Sequence, residues 1–489
     1  FEQLSPGQRS PSGWSPAASL ASPLAPPDLA VTRQVSPLQD HHKIGSFEAC
    51  LVLFKAIVGP GILFLPAAVK NAGLLSAVLV SAICGISATW CMLLLVDIVK
   101  TLRHRGTLVA EFGDIGQAAY GDLGRFAVDV SIVISQLGIC TAYCVFVAEN
   151  MQALVFEVYG GLPAPAGRGE QCQLPQLFAD QGLVYYFILI LIPLLIPATW
   201  VRQLRYFACT NLIASALVVG SLLFMLASCV WNLCRGLPTT GQVRWFVPYG
   251  TLIYCGTAMY AFEGVGVLLP TARSMAEPED LKIVIICTMS LVCSLQVLFA
   301  ATFYWLYGSN THSIITISLS DGSALGGMVG VKLVQLAWVV EVLLTFPLQL
   351  FPAARLLEPA CFRRGSYRRR HSGHKCRKNL IRAGLVLVCM GISMVGYASV
   401  DNLVALIGAL GCVPLALVYP PLFHRKIAFG EAQYAETNRD ADQLPAGGLI
   451  SDLAIGIFGV LGTVLAAVLS LISWTESSFD FPTCILRHE

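Results

Sequence analysis

The first long apolar segment of this chain is interrupted in its middle. Residues 54–66 read FKAIVGPGILFLP, which is apolar enough to lie in a membrane. Gly59, Pro60 and Gly61 stand where a membrane helix would have to be continuous. Proline lacks a backbone N–H and clashes with the preceding turn, and glycine destabilises a helix interior. Because hydrocarbon cannot satisfy a broken backbone, this pattern predicts a segment that lines a cavity inside the protein.

Composition agrees with a membrane chain. Of the 489 residues, 56% are apolar and only 12% are charged, whereas soluble domains carry about 25% charged residues. The mean hydropathy is +0.70. We predict an all-α polytopic membrane protein with eleven transmembrane helices, each long enough to cross the ~30 Å hydrocarbon core. The predicted spans are 46–69, 73–100, 123–155, 183–202, 205–234, 246–272, 281–307, 328–357, 380–400, 402–423 and 449–474.

The regions outside these spans are short or polar. Residues 1–43 are rich in Pro, Ser and Ala and lack hydrophobic periodicity, so we predict a disordered cytosolic tail. Residues 44–475 would form the transmembrane domain, and residues 476–489 a tail on the lumenal or extracellular side.

Positive charge predicts the orientation. If the N-terminus lies in the cytosol, the loops on the cytosolic side hold most of the Lys and Arg residues outside the spans. The densest basic run, residues 363–382, is one of these loops and contains no Asp or Glu. This asymmetry favours a cytosolic N-terminus and a lumenal or extracellular C-terminus. The same run could instead bind anionic membrane lipid. A net charge of +2 gives no indication of a nucleic-acid partner.

The 17 cysteines lie mostly inside apolar runs, where they act as small packing residues. The sequence has no CxxC motif and no Cys/His spacing typical of a metal site, and nothing in it implies a cofactor. It also lacks paired membrane aspartates and a His-rich box, so we do not expect an enzyme. Three cysteines are predicted on the outer side, either with one disulfide among them or as free thiols: Cys172, Cys234 and Cys484.

A second interruption lies in the sixth predicted span, at residues 260–270 (YAFEGVGVLLP). Gly264 and Gly266 loosen the helix, Pro270 is expected to break it, and Glu263 places a carboxylate near mid-membrane. Such a carboxylate is costly unless it is neutral or paired. Two interpretations stay open: Glu263 bonds to freed backbone N–H groups of a neighbouring broken helix, or it couples a proton and organises a site.

The two broken spans are five apart, as in two inverted five-helix repeats, with the eleventh helix as an addition. A broken helix offers N–H groups to an anion and carbonyls to a cation. A zwitterionic amino acid suits both. Its carboxylate would face the N–H groups of Gly59 and Gly61, and its ammonium the carbonyls of residues 262–264.

Five motifs occur in the order found in the amino acid/auxin permease family, and together they cover residues 45–474. They are VGPGILFLP with NAG (58–66 and 71–73), FGDIGQAAYG (112–121), QLGICTAYCVFVAEN (136–150), AFEGVG with LP (261–266 and 269–270) and LTFPLQLFP (344–352). The second of these resembles the loop that precedes the third helix of that family. The chain most closely resembles the proton-coupled and vacuolar/lysosomal branch. The resemblance implies a leucine-transporter-like fold, and symport or vacuolar export of small or neutral amino acids at a vacuolar, lysosomal or plasma membrane. Pro60 departs from the small or polar residue expected there.

Candidate site residues follow from the breaks and from this resemblance. Those expected to bind substrate are Val58, Gly59, Pro60, Gly61, Ile62, Tyr143, Phe262, Glu263, Gly264 and Gly266. Those expected to bind the coupling proton or sodium are Glu263, Glu341 and Thr345.

Alternatives remain for several of these residues. Tyr143 could be a packing residue. Glu341, Thr345 and Gln349 recur every four residues as one polar stripe, which could serve only interhelical hydrogen bonds. Lys55 is expected to reach the cytosolic face.

The expected function is secondary active transport of amino acids by alternating access, coupled to protons because the candidate carboxylates are isolated. The alternatives are an amino-acid-sensing receptor with little flux, a sodium-coupled transporter and a transporter of auxin-like solutes.

Overall fold

A computed structural model describes residues 43–107, 109–160, 182–201, 208–234, 241–322, 327–360, 372–435 and 448–479. Within these ranges the regular structure is helical, apart from one isolated bridge between Ile44 and Met275. The predicted N-terminal tail lies outside the described residues except for Lys43. Residues 480–489 of the predicted C-terminal tail also lie outside them.

The described α-helices follow one another closely along the chain. They are α1 (Ser46–Ile57), α2 (Leu65–Ala72), α3 (Leu74–His104), α4 (Phe112–Gly160), α5 (Gly182–Thr199), α6 (Ala208–Cys234), α7 (Pro248–Ala261), α8 (Val265–Ser274), α9 (Leu281–Tyr307), α10 (Ile315–Gly322), α11 (Gly327–Ala360), α12 (Ser372–Gly396), α13 (Val400–Ile407), α14 (Tyr419–Ala435) and α15 (Gly448–Phe479).

The first span is interrupted where the Gly-Pro-Gly sequence predicts. Val58 and Gly59 are extended, a 3₁₀ turn covers Pro60–Phe64, and α2 leaves at 45° to α1. Pro60 begins the 3₁₀ turn, a position that requires no N–H from it. The break therefore needs no strained residue.

The second interruption is shorter than the sequence suggests. The helical conformation stops at Phe262, Glu263 and Gly264 and resumes with α8. Gly266 and Pro270 both lie inside α8, so the expectation that Pro270 breaks the helix is wrong. A proline removes a single backbone hydrogen bond, here the one to the Gly266 carbonyl, and α8 continues past that loss.

Eight of the described helical stretches are long and apolar enough to cross a membrane, or nine if the bent α1–α2 pair is counted as one span. This is a polytopic membrane protein. Two features account for the difference between this number and the eleven predicted spans. Val184–Thr199 is a shorter apolar helix, and Lys375–Ala428 is counted as one stretch of 54 residues. A straight helix of that length would measure about 80 Å, far more than the hydrocarbon core.

The bend before the third predicted span also differs from expectation. The family resemblance suggests a loop at residues 112–121, but the segment is the first part of α4. The chain turns at Tyr120 and Gly121 and continues as the long membrane helix. Gly121 has φ +65°, a conformation that glycine adopts without strain.

Part of the basic run is tied into the helix bundle. Arg382 on α12 is only 5% exposed, and its Nε lies 2.7 Å from Glu358 Oε1 on α11. Its guanidinium also donates to the carbonyls of Thr199 and Val201 at the end of α5. Arg382 therefore joins three helices instead of standing free as a surface charge.

Candidate functional site

The two interrupted helices touch each other at their breaks. A Cβ atom added to Gly61 would lie 3.2 Å from Ala261 Cα and 3.3 Å from Tyr260 Cε1. A Cβ added to Gly264 would lie 2.5 Å from Ile57 Cγ1. Glycine at both positions thus lets the two backbones approach closely.

Tyr143 and Thr345 join the breaks from two other helices. Tyr143 on α4 is buried, and its hydroxyl would lie 3.9 Å from a Cβ added to Gly59. The Tyr143 side chain interacts with the Thr345 side chain of α11 and with the charge of Glu341. Four elements, α1–α2, α4, α7–α8 and α11, therefore bring predicted site residues together.

Open space borders the second break. Gly266 is exposed and Gly59, Gly61 and Glu263 are partly exposed, although their neighbours Val58, Pro60, Ile62, Phe262 and Gly264 are buried. A Cβ added to Gly266 would have only Glu263 Oε1 within 4 Å, at 3.9 Å. The second break is thus only partly covered by the neighbouring helices, and Gly266 and the Glu263 carboxylate lie side by side there.

The backbone donors at the two breaks differ. The Gly59 N–H donates to the Ile57 carbonyl at 3.1 Å, so it is engaged in this conformation. No hydrogen bond joins the N–H of Glu263 or Gly264 to another described residue. These N–H groups lie at the start of α8, the positive end of its dipole.

Glu263 has no partner in the described part of the chain. No hydrogen bond or ion pair to its carboxylate occurs there, so the interpretation in which it bonds to freed backbone N–H groups is not seen in this conformation. Its neighbours include Tyr260, whose buried hydroxyl also lacks a partner, and Cys412. Cys412 ends the first of two short π-helical turns between α13 and α14.

The polar stripe on α11 divides into two parts. Gln349 Nε2 donates to Gln136 Oε1 at 2.8 Å and so links α11 to α4. Thr345 Oγ1 donates to the carbonyl of Glu341 on its own helix at 3.0 Å. Glu341 is only 3% exposed, and its Oε2 has no hydrogen-bond partner among the residues that the structure describes.

Lys55 links the end of α1 to α6. Its amine turns into the bundle and donates to the side-chain and main-chain oxygens of Asn211 on α6. It also interacts with the charge of Glu341. The expectation that it extends to the cytosolic face stays a prediction, because Asn211 lies near the start of α6, at the end that the predicted topology places in the cytosol.

Sequence reasoning also missed a polar cluster at the other end of the broken span. Lys70 Nζ donates to the Thr311 carbonyl at 2.7 Å, and Asn71 Nδ2 to Asp401 Oδ2 at 3.4 Å. These bonds tie α2 to α13 and to the turn before α10. The only signal in the sequence was the presence of polar residues at the ends of apolar spans.

Cys234, at the C-terminal end of α6, is an exposed free thiol, whereas Cys172 and Cys484 lie outside the described residues. The disulfide therefore stays a prediction. In the described ranges no group of three or more His, Cys, Asp or Glu side chains could hold a metal ion.

The chain is similar to known transporters. Vacuolar amino acid transporter 4 of Saccharomyces cerevisiae is 30% identical over 397 residues, which cover 76% of this chain and 52% of that protein. Vacuolar amino acid transporter 3 of Schizosaccharomyces pombe is 30% identical over 391 residues, or 80% and 54% of the two chains. The match thus spans about half the length of these two relatives. Amino acid transporter AVT3B of Arabidopsis thaliana is 28% identical over 414 residues, 84% of this chain and 91% of that protein.

These relatives are transporters by description and not enzymes, in agreement with the expectation from the sequence. The family model described as transmembrane amino acid transporter protein matches residues 42–465. The chain therefore belongs to the transmembrane amino acid transporter family.

Proposed function

We propose that this protein moves small or neutral amino acids across a membrane by proton-coupled secondary transport and alternating access. The observation that carries the proposal is the meeting of two interrupted helices beside Glu263, a partly exposed carboxylate without a partner among the described residues. The names of the vacuolar relatives favour a vacuolar or lysosomal membrane over the plasma membrane.

The proposed architecture is eleven membrane crossings in two inverted five-helix repeats plus α15. The bent α1–α2 pair counts as one crossing, α5 as another, and the 54-residue run as two, because the 3₁₀ turn Tyr397–Ser399 divides it. The first and sixth crossings then contain the two breaks, as inverted repeats require. Alternating access would follow from movement of one group of helices against the other.

We place the substrate between residues 58–62, Tyr143 and residues 262–266. Its carboxylate would bind N–H groups at Gly61 and at the start of α8, since Pro60 has none and that of Gly59 is engaged. Its ammonium would face the Glu263 carboxylate and nearby carbonyls.

Glu263 and Glu341 are the proposed proton acceptors. Each is isolated from a hydrogen-bonded ion pair among the described residues, so each can gain and lose a proton as its surroundings change. Thr345 would support Glu341.

Uptake into proteoliposomes, with each of the twenty amino acids and with or without a pH gradient, tests the proposal. We expect accumulation of a subset of neutral amino acids, driven by the pH gradient. Binding without uptake or counterflow would indicate the sensing receptor instead. Accumulation driven only by a sodium gradient would show that the coupling ion is sodium and not the proton. Uptake restricted to auxin-like acids would show that the substrate is not an amino acid.

A further inference from the structure

Lys55 carries its charge next to the first break. It lies in the last turn of α1, and the helical conformation ends at Ile57. A lysine ammonium has three donors and no acceptor, and inside a membrane protein it requires partners. The partners present are two oxygens of Asn211, the side-chain Oδ1 and the main-chain carbonyl at 3.4 Å. Lys55 therefore connects the last turn of α1, just before the break, to α6.

Glu341 is the acid that faces Lys55 from α11. The ionisable groups that interact with Glu341 in the described ranges are Lys55 from α1 and Tyr143 from α4. Thr345 adds a polar contact from its own helix. No nitrogen–oxygen distance of 4.0 Å or less joins Lys55 to Glu341, and Glu341 Oε2 is buried without a hydrogen-bond partner. The two side chains are thus neighbours that do not form an ion pair in this conformation.

We propose that Lys55 exchanges partners during transport: Asn211 holds its ammonium in the present conformation, and Glu341 binds it in the alternate one. This inference rests on the proposed proton-coupled transport. A protonated Glu341 is neutral and leaves Lys55 with Asn211. When Glu341 releases its proton, the new carboxylate attracts the ammonium and moves the end of α1 towards α11. Lys55 keeps its own proton throughout and acts as a positioning residue.

The location of Lys55 makes this exchange effective. It stands three residues before Val58, where the chain leaves the helical conformation, and Gly59 follows. A break of this kind lets α1 tilt while α2 stays in contact with α7. The charge state of Glu341 would thereby control which side of the substrate site is open.

The test uses the full chain in proteoliposomes and compares Lys55→Met, Lys55→Arg, Glu341→Gln and the double variant Lys55→Met/Glu341→Gln. Two readouts are recorded, pH-driven net uptake and amino acid counterflow. We expect Lys55→Met to lower pH-driven uptake about tenfold, within the usual range of coupling between two sites, and to retain counterflow. Lys55→Arg keeps the charge and should retain most of the pH-driven uptake. The double variant should be no worse than the more impaired single variant, because the two residues act as a pair.

Lys282→Met is the matched control, because its amine pairs with Asp97 while 43% exposed and away from the break. It should leave both readouts unchanged. Unaltered pH-driven uptake by Lys55→Met would overturn the partner exchange. A double variant whose fold-loss of pH-driven uptake equals the product of the two single losses would also overturn it. If Lys55→Met fails to fold, Lys55→Arg decides: counterflow without pH-driven uptake in that variant rules out a role through charge alone. An unmodified protein without pH-driven uptake would instead refute the proposed function.

Discussion

At the scale of single residues, Glu263 is distinguished by what surrounds it. Its carboxylate borders the exposed Gly266 and accepts no hydrogen bond from a described residue. A carboxylate inside a membrane segment is costly unless it is neutral or paired, so one without a described partner calls for an explanation. A carboxyl group that must gain and lose a proton in each transport cycle supplies one.

Glu263→Gln keeps the size and hydrogen-bonding capacity of the side chain but cannot release a proton. We expect it to abolish pH-driven uptake and to leave amino acid counterflow largely intact. Both are measured in proteoliposomes, with Glu277→Gln at the loop before α9 as a control that should behave like the unmodified protein. An unchanged pH response would move the coupling role to Glu341.

An added methyl group should lower stability at Gly61 of the first break but not at Gly59. In Gly61→Ala the new Cβ meets the Ala261 backbone at 3.2 Å, so we expect a loss of about 1–3 kcal/mol of stability from overpacking. In Gly59→Ala the Cβ meets only the Tyr143 hydroxyl, at 3.9 Å, so stability should be unchanged while substrate uptake falls. Thermal unfolding in detergent, together with uptake, separates the two effects. Equal melting temperatures for both variants would contradict the close contact.

At the scale of helices, hydrogen bonds between side chains fix how the site elements meet. The bond from Gln349 Nε2 to Gln136 Oε1 links α11 to α4, the two helices that carry Thr345, Glu341 and Tyr143. Such bonds in membrane proteins contribute about 0.6 kcal/mol on average. Their loss can be larger when one partner is left buried and unpaired.

Gln349→Leu should therefore cost about 1–3 kcal/mol, because it leaves the buried Gln136 oxygen without its donor. The double variant Gln349→Leu/Gln136→Leu removes both polar groups and should be less destabilised than the single variant. Thermal unfolding of both variants measures the difference. Additive losses would mean that the two side chains do not act together.

The boundaries of these helices were only partly predictable. The Gly-Pro-Gly sequence was sufficient for the first break, because proline and two glycines oppose a helix in any surroundings. Pro270 was misleading, because a single lost hydrogen bond does not end a helix that its neighbours support. The helical start of α4 was also missed, since the family resemblance suggested a loop there.

At the scale of the whole molecule, charge distribution predicts how the chain sits in the membrane. The basic run at 363–382 should lie in the cytosol, although Arg382 itself is buried against Glu358. In sealed vesicles whose cytosolic face points outward, protease should cut within this run while the lumenal side is protected. Cleavage only after the vesicles are opened would reverse the proposed orientation.

The amino-acid sequence was sufficient to identify a helical membrane protein and to locate its two breaks. These features depend on apolar length and on the backbone chemistry of glycine and proline, which act locally. The contacts between side chains of different helices depend on how the helices pack. Lys55 bonds to Asn211, 156 residues away along the chain, and Gln349 to Gln136, 213 residues away. A buried polar group takes whichever partner the packed helices bring within reach, and residue spacing along one helix does not reveal that partner.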